Sequence, residues 1–357
     1  MNNLNSILFV LTEVKNRNSA TQYDENEIIA QVQSHVTHKS TTVFKIVSIV
    51  GGLLSVAAFL SILFISNIFN SGFSMLTLGV LLYFSSIYLG IKSSQLYLDS
   101  LSFGLYMSSI FLIAIGLKEF DLKEIQISVI ISILSLTTIS IVKDYILIYI
   151  SILIFFISLT IIIFESEIEN ILQPALAILV WIIVLLMSNE SKVLARRNGL
   201  SLRFGPIVSG LTTVVSMGII FVLRLGTRTE PDTLIAFSTI VIIAAFSYLI
   251  FTELEQRFDK LDKNRLIMYT VIGGLALVPS IFCLSIPASI VILFLGFIFG
   301  HRMFFLLGIL LTIYCIGQYY YNLEFTLLTK SILMFITGLL FLIIYFVVNY
   351  QRNESTS

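Results

Sequence analysis

The run Tyr145-Ile-Leu-Ile-Tyr-Ile-Ser-Ile-Leu-Ile-Phe-Phe-Ile-Ser-Leu-Thr-Ile-Ile-Ile-Phe164 contains no charged residue, no proline and no glycine. At about 1.5 Å of rise per residue, a helix of this length reaches roughly 30 Å, the thickness of the hydrocarbon core of a bilayer. The run is continuously apolar and does not alternate, so it reads as a spanning helix rather than a strand of a transmembrane barrel. The same ruler, moved along the chain, finds further spans near 44–66, 73–91, 97–117, 124–142, 170–188, 206–224, 234–252, 265–283, 286–301, 303–321 and 328–350. The expected fold is therefore all-α: a polytopic transmembrane helix bundle of about twelve spans. Pro279 and Pro287 fall between two short spans in 265–301, so a re-entrant pair is the alternative there.

Composition agrees with that reading. Of 357 residues, 57% are hydrophobic and 12% charged, with mean hydropathy +0.99. A water-soluble domain carries about 25% charged residues, so a cytosolic enzyme, a nucleic-acid binder and a disordered regulator are excluded. Lys and Arg total 21, as do Asp and Glu, so net charge points to no acidic or basic partner. With the N-terminus inside, 16 of the 21 basic residues face the cytoplasm. Only Lys118, Lys123, Arg224, Arg228 and Lys330 fall on the other side. This asymmetry predicts both termini in the cytoplasm and an even number of spans. The domains expected are a polar helical extension over 1–43, the bundle over 44–350 and a short tail over 351–357. Met1 to Asn5 carries no basic residue and the apolar run Ile7–Leu11 is too short for a signal peptide. Leu4, Ile7, Leu8 and Leu11 instead predict a short amphipathic helix. The longest cytoplasmic loops are 189–205 and 253–264; the first divides the spans six and six, with no residue-level similarity between the halves.

Charge is nearly absent from the span centres, which argues against a proton relay or an ion-coupled carrier. The hydroxyl pairs Ser85-Ser86, Ser108-Ser109 and Thr137-Thr138 suit bonding to the carbonyl one turn back or between helices. His35 and His38 share a helical face but lack further ligands nearby, and the chain has no GxSxG, HExxH or P-loop. Catalytic, metal and cofactor sites are thus not expected, and Cys283 and Cys315 read as small buried hydrophobes. Asp99 opens the third span from the cytoplasmic side, where a carboxylate suits a helix N-terminus. Gly296-Phe-Ile-Phe-Gly300 is a GxxxG that lets backbones approach, and His301-Arg302 anchors the turn after it. The richest cluster is Tyr319, Tyr320, Tyr321, Glu324, Lys330 and Ser331, between the last two spans. Its tyrosines belong at headgroup level. Lys330 begins an inward helix at the end where a cation is disfavoured, with Glu324 the nearest counter-charge. We take these six residues as the candidate interaction patch.

The stretch from Pro287 through Gly296-Phe297, Gly300 and Arg302 to Tyr319-Tyr320-Tyr321, Leu323, Thr326-Leu327-Leu328, Lys330-Ser331 and Gly338 resembles the C-terminal signature of the domain-of-unknown-function 4401 family. Those are multi-pass bacterial membrane proteins with no assigned activity. Leu98-Asp99 resembles that family's Leu-Asp-Gln helix, with Ser100 where Gln is usual and Ser108-Ser109 where Gly-Gln is usual. The resemblance covers 40–350 and is specific over the last 65 residues. It implies partners more than a reaction: a second polytopic membrane protein and a small extracytoplasmic protein. The expected function is accordingly that of a non-enzymatic inner-membrane subunit of an envelope assembly, in contact with lipid and not with nucleic acid. A secondary transporter of a neutral or lipid-like solute is the alternative, favoured by a polar cavity among spans two to four.

Overall fold

The computed structural model describes residues 71–92, 96–195, 199–225, 232–257, 263–281 and 283–322, with single positions between 51 and 61 and between 328 and 345. The extension over 1–43, Glu324 and Lys330 lie outside the described residues, as does most of the first and last predicted spans. Among the described residues eleven α-helices follow in order: α1 (Gly72–Lys92), α2 (Leu96–Lys118), α3 (Glu124–Ile141), α4 (Tyr145–Glu165), α5 (Leu172–Ser188), α6 (Glu190–Ala195), α7 (Gly199–Leu225), α8 (Asp232–Arg257), α9 (Lys263–Leu275), α10 (Ser285–Ile298) and α11 (Arg302–Asn322). The described residues contain no strand. Eight of these helices are long and apolar enough to cross a membrane, and the chain is a multi-pass membrane protein.

Where the residues are described the predicted spans fall on helices, apart from a few residues at their ends and the turn and 3-10 residues at 276–281, but two of the helices are short. At 13 and 14 residues, α9 and α10 extend about 20 Å each, less than a hydrocarbon core. A turn and a 3-10 segment, Val278–Ser280, separate them. Parity constrains this segment. His301, just past α10, lies 3.8 Å from Glu190, just past α5, so the ends of α5 and α10 share one side. Two crossings by α7 and α8 return the chain to that side, and α9 with α10 must therefore go in and come back.

Helices α1 and α2 pack as an antiparallel hairpin, as do α3 with α4, α8 with α9, and α10 with α11. Between hairpins the alignment is parallel. Tyr145 and Tyr149 of α4 meet Ser209 and Thr213 of α7, and Phe164 meets Phe221. Likewise Trp181 of α5 donates to the Val241 carbonyl of α8 (2.8 Å) and its ring meets Tyr248. The core lies where these pairs converge with α10, on Ile152, Val180, Val184, Val215, Ile219, Ile242, Leu249 and Val291. All the described residues except Gly51 and Leu54 belong to one compact unit, Ser55–Ser357.

The α10–α11 hairpin divides the work of the GxxxG motif. A Cβ on Gly296 would collide with the backbone of Phe305, and one on Gly308 with the backbone of Leu293. These two glycines form the close crossing. Gly300 takes no part in it, since a Cβ there would meet nothing within 4 Å. Its φ of +71° ends α10 by turning the chain left-handed after Phe299, a conformation that favours glycine. The expectation that Gly296 and Gly300 act together in packing is corrected: the partner of Gly296 is Gly308 on the next helix.

Candidate functional site

Hydroxyl pairs in the first half of the chain behave as their sequence suggests. Ser85, Ser108 and Thr138 donate to the carbonyls of Leu81, Gly104 and Leu134 one turn back. Ser86 and Ser102 go further and donate to each other's carbonyls across α1 and α2, at 2.9 and 3.0 Å. Tyr83 reaches from α1 to α3, where its hydroxyl donates to the Leu134 carbonyl (2.9 Å) and lies 2.7 Å from Thr137 Oγ1. Beside it, the hydroxyls of Tyr106 and Ser151 are buried without a hydrogen-bond partner.

A groove of about 940 Å³ opens between α4, α7 and α11. It is predominantly apolar, and its ionisable groups, Glu190, His301 and Arg302, gather at the end where α7 and α11 begin. Along one wall runs a ladder of hydroxyls. Tyr145 Oη lies 2.9 Å from Ser209 Oγ, and Tyr149 Oη donates to Thr213 Oγ1 at 3.1 Å. Thr213 in turn donates to the Ser209 carbonyl (2.9 Å), and Ser216 donates to the Thr212 carbonyl (2.7 Å). The opposite wall is hydrocarbon from α11, including Leu306, Leu307, Leu310 and Leu311. Sequence reasoning missed this site. The usable signal was a pair of tyrosines four apart on one span facing a Ser and a Thr four apart on another, a pattern that places four hydroxyls on two facing stripes.

The predicted site residues are spread over three places. Gly296, Gly300 and Arg302 share the α10–α11 turn, with Arg302 exposed at the groove mouth. Asp99 lies in the first turn of α2, as expected, and burial first and then the Asp99 carboxylate raise the pKa of Asp144 at the start of α4. Tyr319, Tyr320 and Tyr321 sit at the far end of α11, roughly 25 Å from Arg302 by helical rise. Tyr319 is half-buried, Tyr320 is 39% exposed and Tyr321 80% exposed. Ser331 is exposed.

Helix α11 has a further feature. Only 17% of its spanning window is buried, against 28–56% in the other seven. Met303, Leu306, Leu310, Ile313, Gly317 and Tyr320 follow alternating steps of three and four, and all are exposed. A Cβ on Gly317 would meet nothing within 4 Å.

The model of one protein family, described as Domain of unknown function (DUF4401), matches residues 42–351. Comparisons with curated proteins and with solved structures found no match.

Proposed function

Because the chain belongs to the DUF4401 family, whose description assigns no activity, we propose from its own surface that it is a non-enzymatic membrane subunit that docks a partner helix on α11. One observation carries this reading: the uncovered stripe on α11 with Gly317 in it. Apolar exposure alone says little in lipid, where every outer face is apolar. A three-four spacing of side chains is the seam of a helix pair, and a bare glycine in that seam admits close backbone approach. Tyr320 and Tyr321 close the outer end of the seam with amphipathic rings suited both to the interface and to a protein contact. The partners envisaged are a second polytopic membrane protein along the seam and a small extracytoplasmic protein at the tyrosine end, with Glu324, Lys330 and Ser331 completing that surface. The positive-inside count supports placing the groove mouth in the cytoplasm and the tyrosines outside, in the inner membrane of the cell.

Co-purification tests the proposal. Gly317→Leu should remove a co-purifying membrane protein while the chain itself stays folded and membrane-inserted. A comparable gain of bulk on another exposed face, Val129→Phe on α3, should leave it in place. Equal recovery of every co-purifying protein from both variants would refute the docking role.

The groove favours a second reading, the carrier of a lipid-like solute. Its hydroxyl ladder lies along spans five and seven, whereas in spans two to four Ser86 and Ser102 bond across two helices and Ser108 and Thr138 bond to their own helix one turn back. Transfer of a labelled lipid across vesicles by the reconstituted protein would support the carrier; absence of transfer would remove it.

A further inference from the structure

We propose that the groove between α4, α7 and α11 binds one anionic phospholipid, its phosphodiester on Arg302 and an acyl chain along the hydrocarbon wall of α11. The volume of about 940 Å³ is at the upper end of the roughly 300–1,000 Å³ typical of small-molecule sites. Polarity within the groove is graded: Glu190, His301 and Arg302 stand at one end, and leucines of α11 line the remainder. A purely polar ligand would leave that wall wet, and a plain hydrocarbon would leave Arg302 without a counter-charge. An amphiphile satisfies both ends.

Charge complementarity selects the headgroup. The Glu190 carboxylate lies on the His301 side of the mouth, its Oε2 3.8 Å from His301 Nε2. Arg302 is exposed, lines the mouth and enters no ion pair among the described residues. Its planar guanidinium offers two parallel N–H donors to two phosphate oxygens, the geometry in which Arg outperforms a point charge. The inference does not rest on the partner reading of α11, but the two share Met303, Leu306 and Leu310, so the lipid experiment uses the purified chain without a partner and its failure leaves the contact at Ile313, Gly317 and Tyr320 untouched.

The experiment measures binding of phosphatidylglycerol, and of diacylglycerol with the same chains, to the purified full-length protein in detergent by native mass spectrometry. One phosphatidylglycerol should bind at least tenfold more tightly than diacylglycerol. Arg302→Gln should remove that preference, and Arg302→Lys should keep part of it. A Cβ on Gly205, at the groove wall, meets only the ring of Tyr145, at an ordinary 3.5 Å. Gly205→Leu therefore starts from a Cβ with no backbone contact, adds bulk at the groove wall, and should abolish the site with the melting temperature unchanged. Equal binding of the two lipids, or an unaltered preference in Arg302→Gln or in a stably folded Gly205→Leu, would overturn the proposal.

Discussion

Asp144 is a cap and a liability at once. Its Oδ2 accepts from the Leu147 backbone N–H at 3.1 Å and so closes the N-terminus of α4. Burial, and then the nearby Asp99 carboxylate, push its pKa from 3.8 to about 6, against the pull of the backbone N–H groups of Leu147, Ile146 and Tyr145. A carboxyl that binds its proton more tightly in the folded state adds stability below its unfolded pKa, and that stability is lost as pH rises through about 6. Stability from this group should therefore fall between about pH 4 and pH 7. Asp144→Asn keeps an oxygen for the cap and removes the charge. It should flatten that slope and raise stability near pH 7.5 by the order of 1–2 kcal/mol, read from melting curves in detergent across pH. Asp144→Ala loses the cap as well and should gain less, by about 1 kcal/mol. Proximity to Asp99 could not be read from sequence, because 45 residues separate the two carboxylates and only packing of α2 and α4 joins them.

At the scale of helices, the first half of the bundle is held by tyrosines reaching across it. Tyr83 bonds α1 to α3, whereas the hydroxyl of neighbouring Tyr106 is buried with no partner. Tyr83→Phe should therefore lose about 1 kcal/mol. Tyr106→Phe, which removes a buried hydroxyl that makes no bond of good geometry but has the Ser151, Ser135 and Thr138 hydroxyls near it, should cost less than Tyr83→Phe. Thermal unfolding of the two variants in the same detergent makes the comparison. Most helix positions were legible in the sequence, since a continuous apolar run in lipid has to close its hydrogen bonds within itself. The span read from 124 to 142 is α3, and that read from 145 to 164 is α4. What failed was the start of α7. The span was read from 206 to 224, and the helix runs further, from Gly199 with Pro206 inside it. A proline two turns into a helix removes a single backbone bond, which the rest of a 27-residue helix tolerates. The GxxxG motif was read correctly as packing and wrongly as a unit, because spacing along one helix does not reveal that Gly300 is past its end.

Across the whole molecule, the contact of His301 with Glu190 and the parallel pairing of α4 with α7 set an alternation in which the turns at 119–123 and 166–168 lie opposite the groove mouth. Asp121 and Glu167 mark those turns, each at φ 56°. The native Cys283 and Cys315 are buried, so single cysteines placed at 121, 167, 190 and 301 can be labelled over a low background. An impermeant maleimide should reach positions 121 and 167 from outside intact cells and should not reach 190 or 301; labelling on both sides of this division would break the topology. The site was less legible than the fold. Tyr319 to Tyr321 stood out as an aromatic cluster, but the seam from Met303 to Tyr320 did not, because exposure of one helical stripe is a property of tertiary packing and every span is apolar all round. The most direct test of that seam is a photo-crosslinking amino acid at Ile313, activated in intact cells. The account predicts a covalent adduct with a second membrane polypeptide, lost on adding Gly317→Leu. Adducts confined to lipid, or to the chain's own residues 328–350, would contradict it.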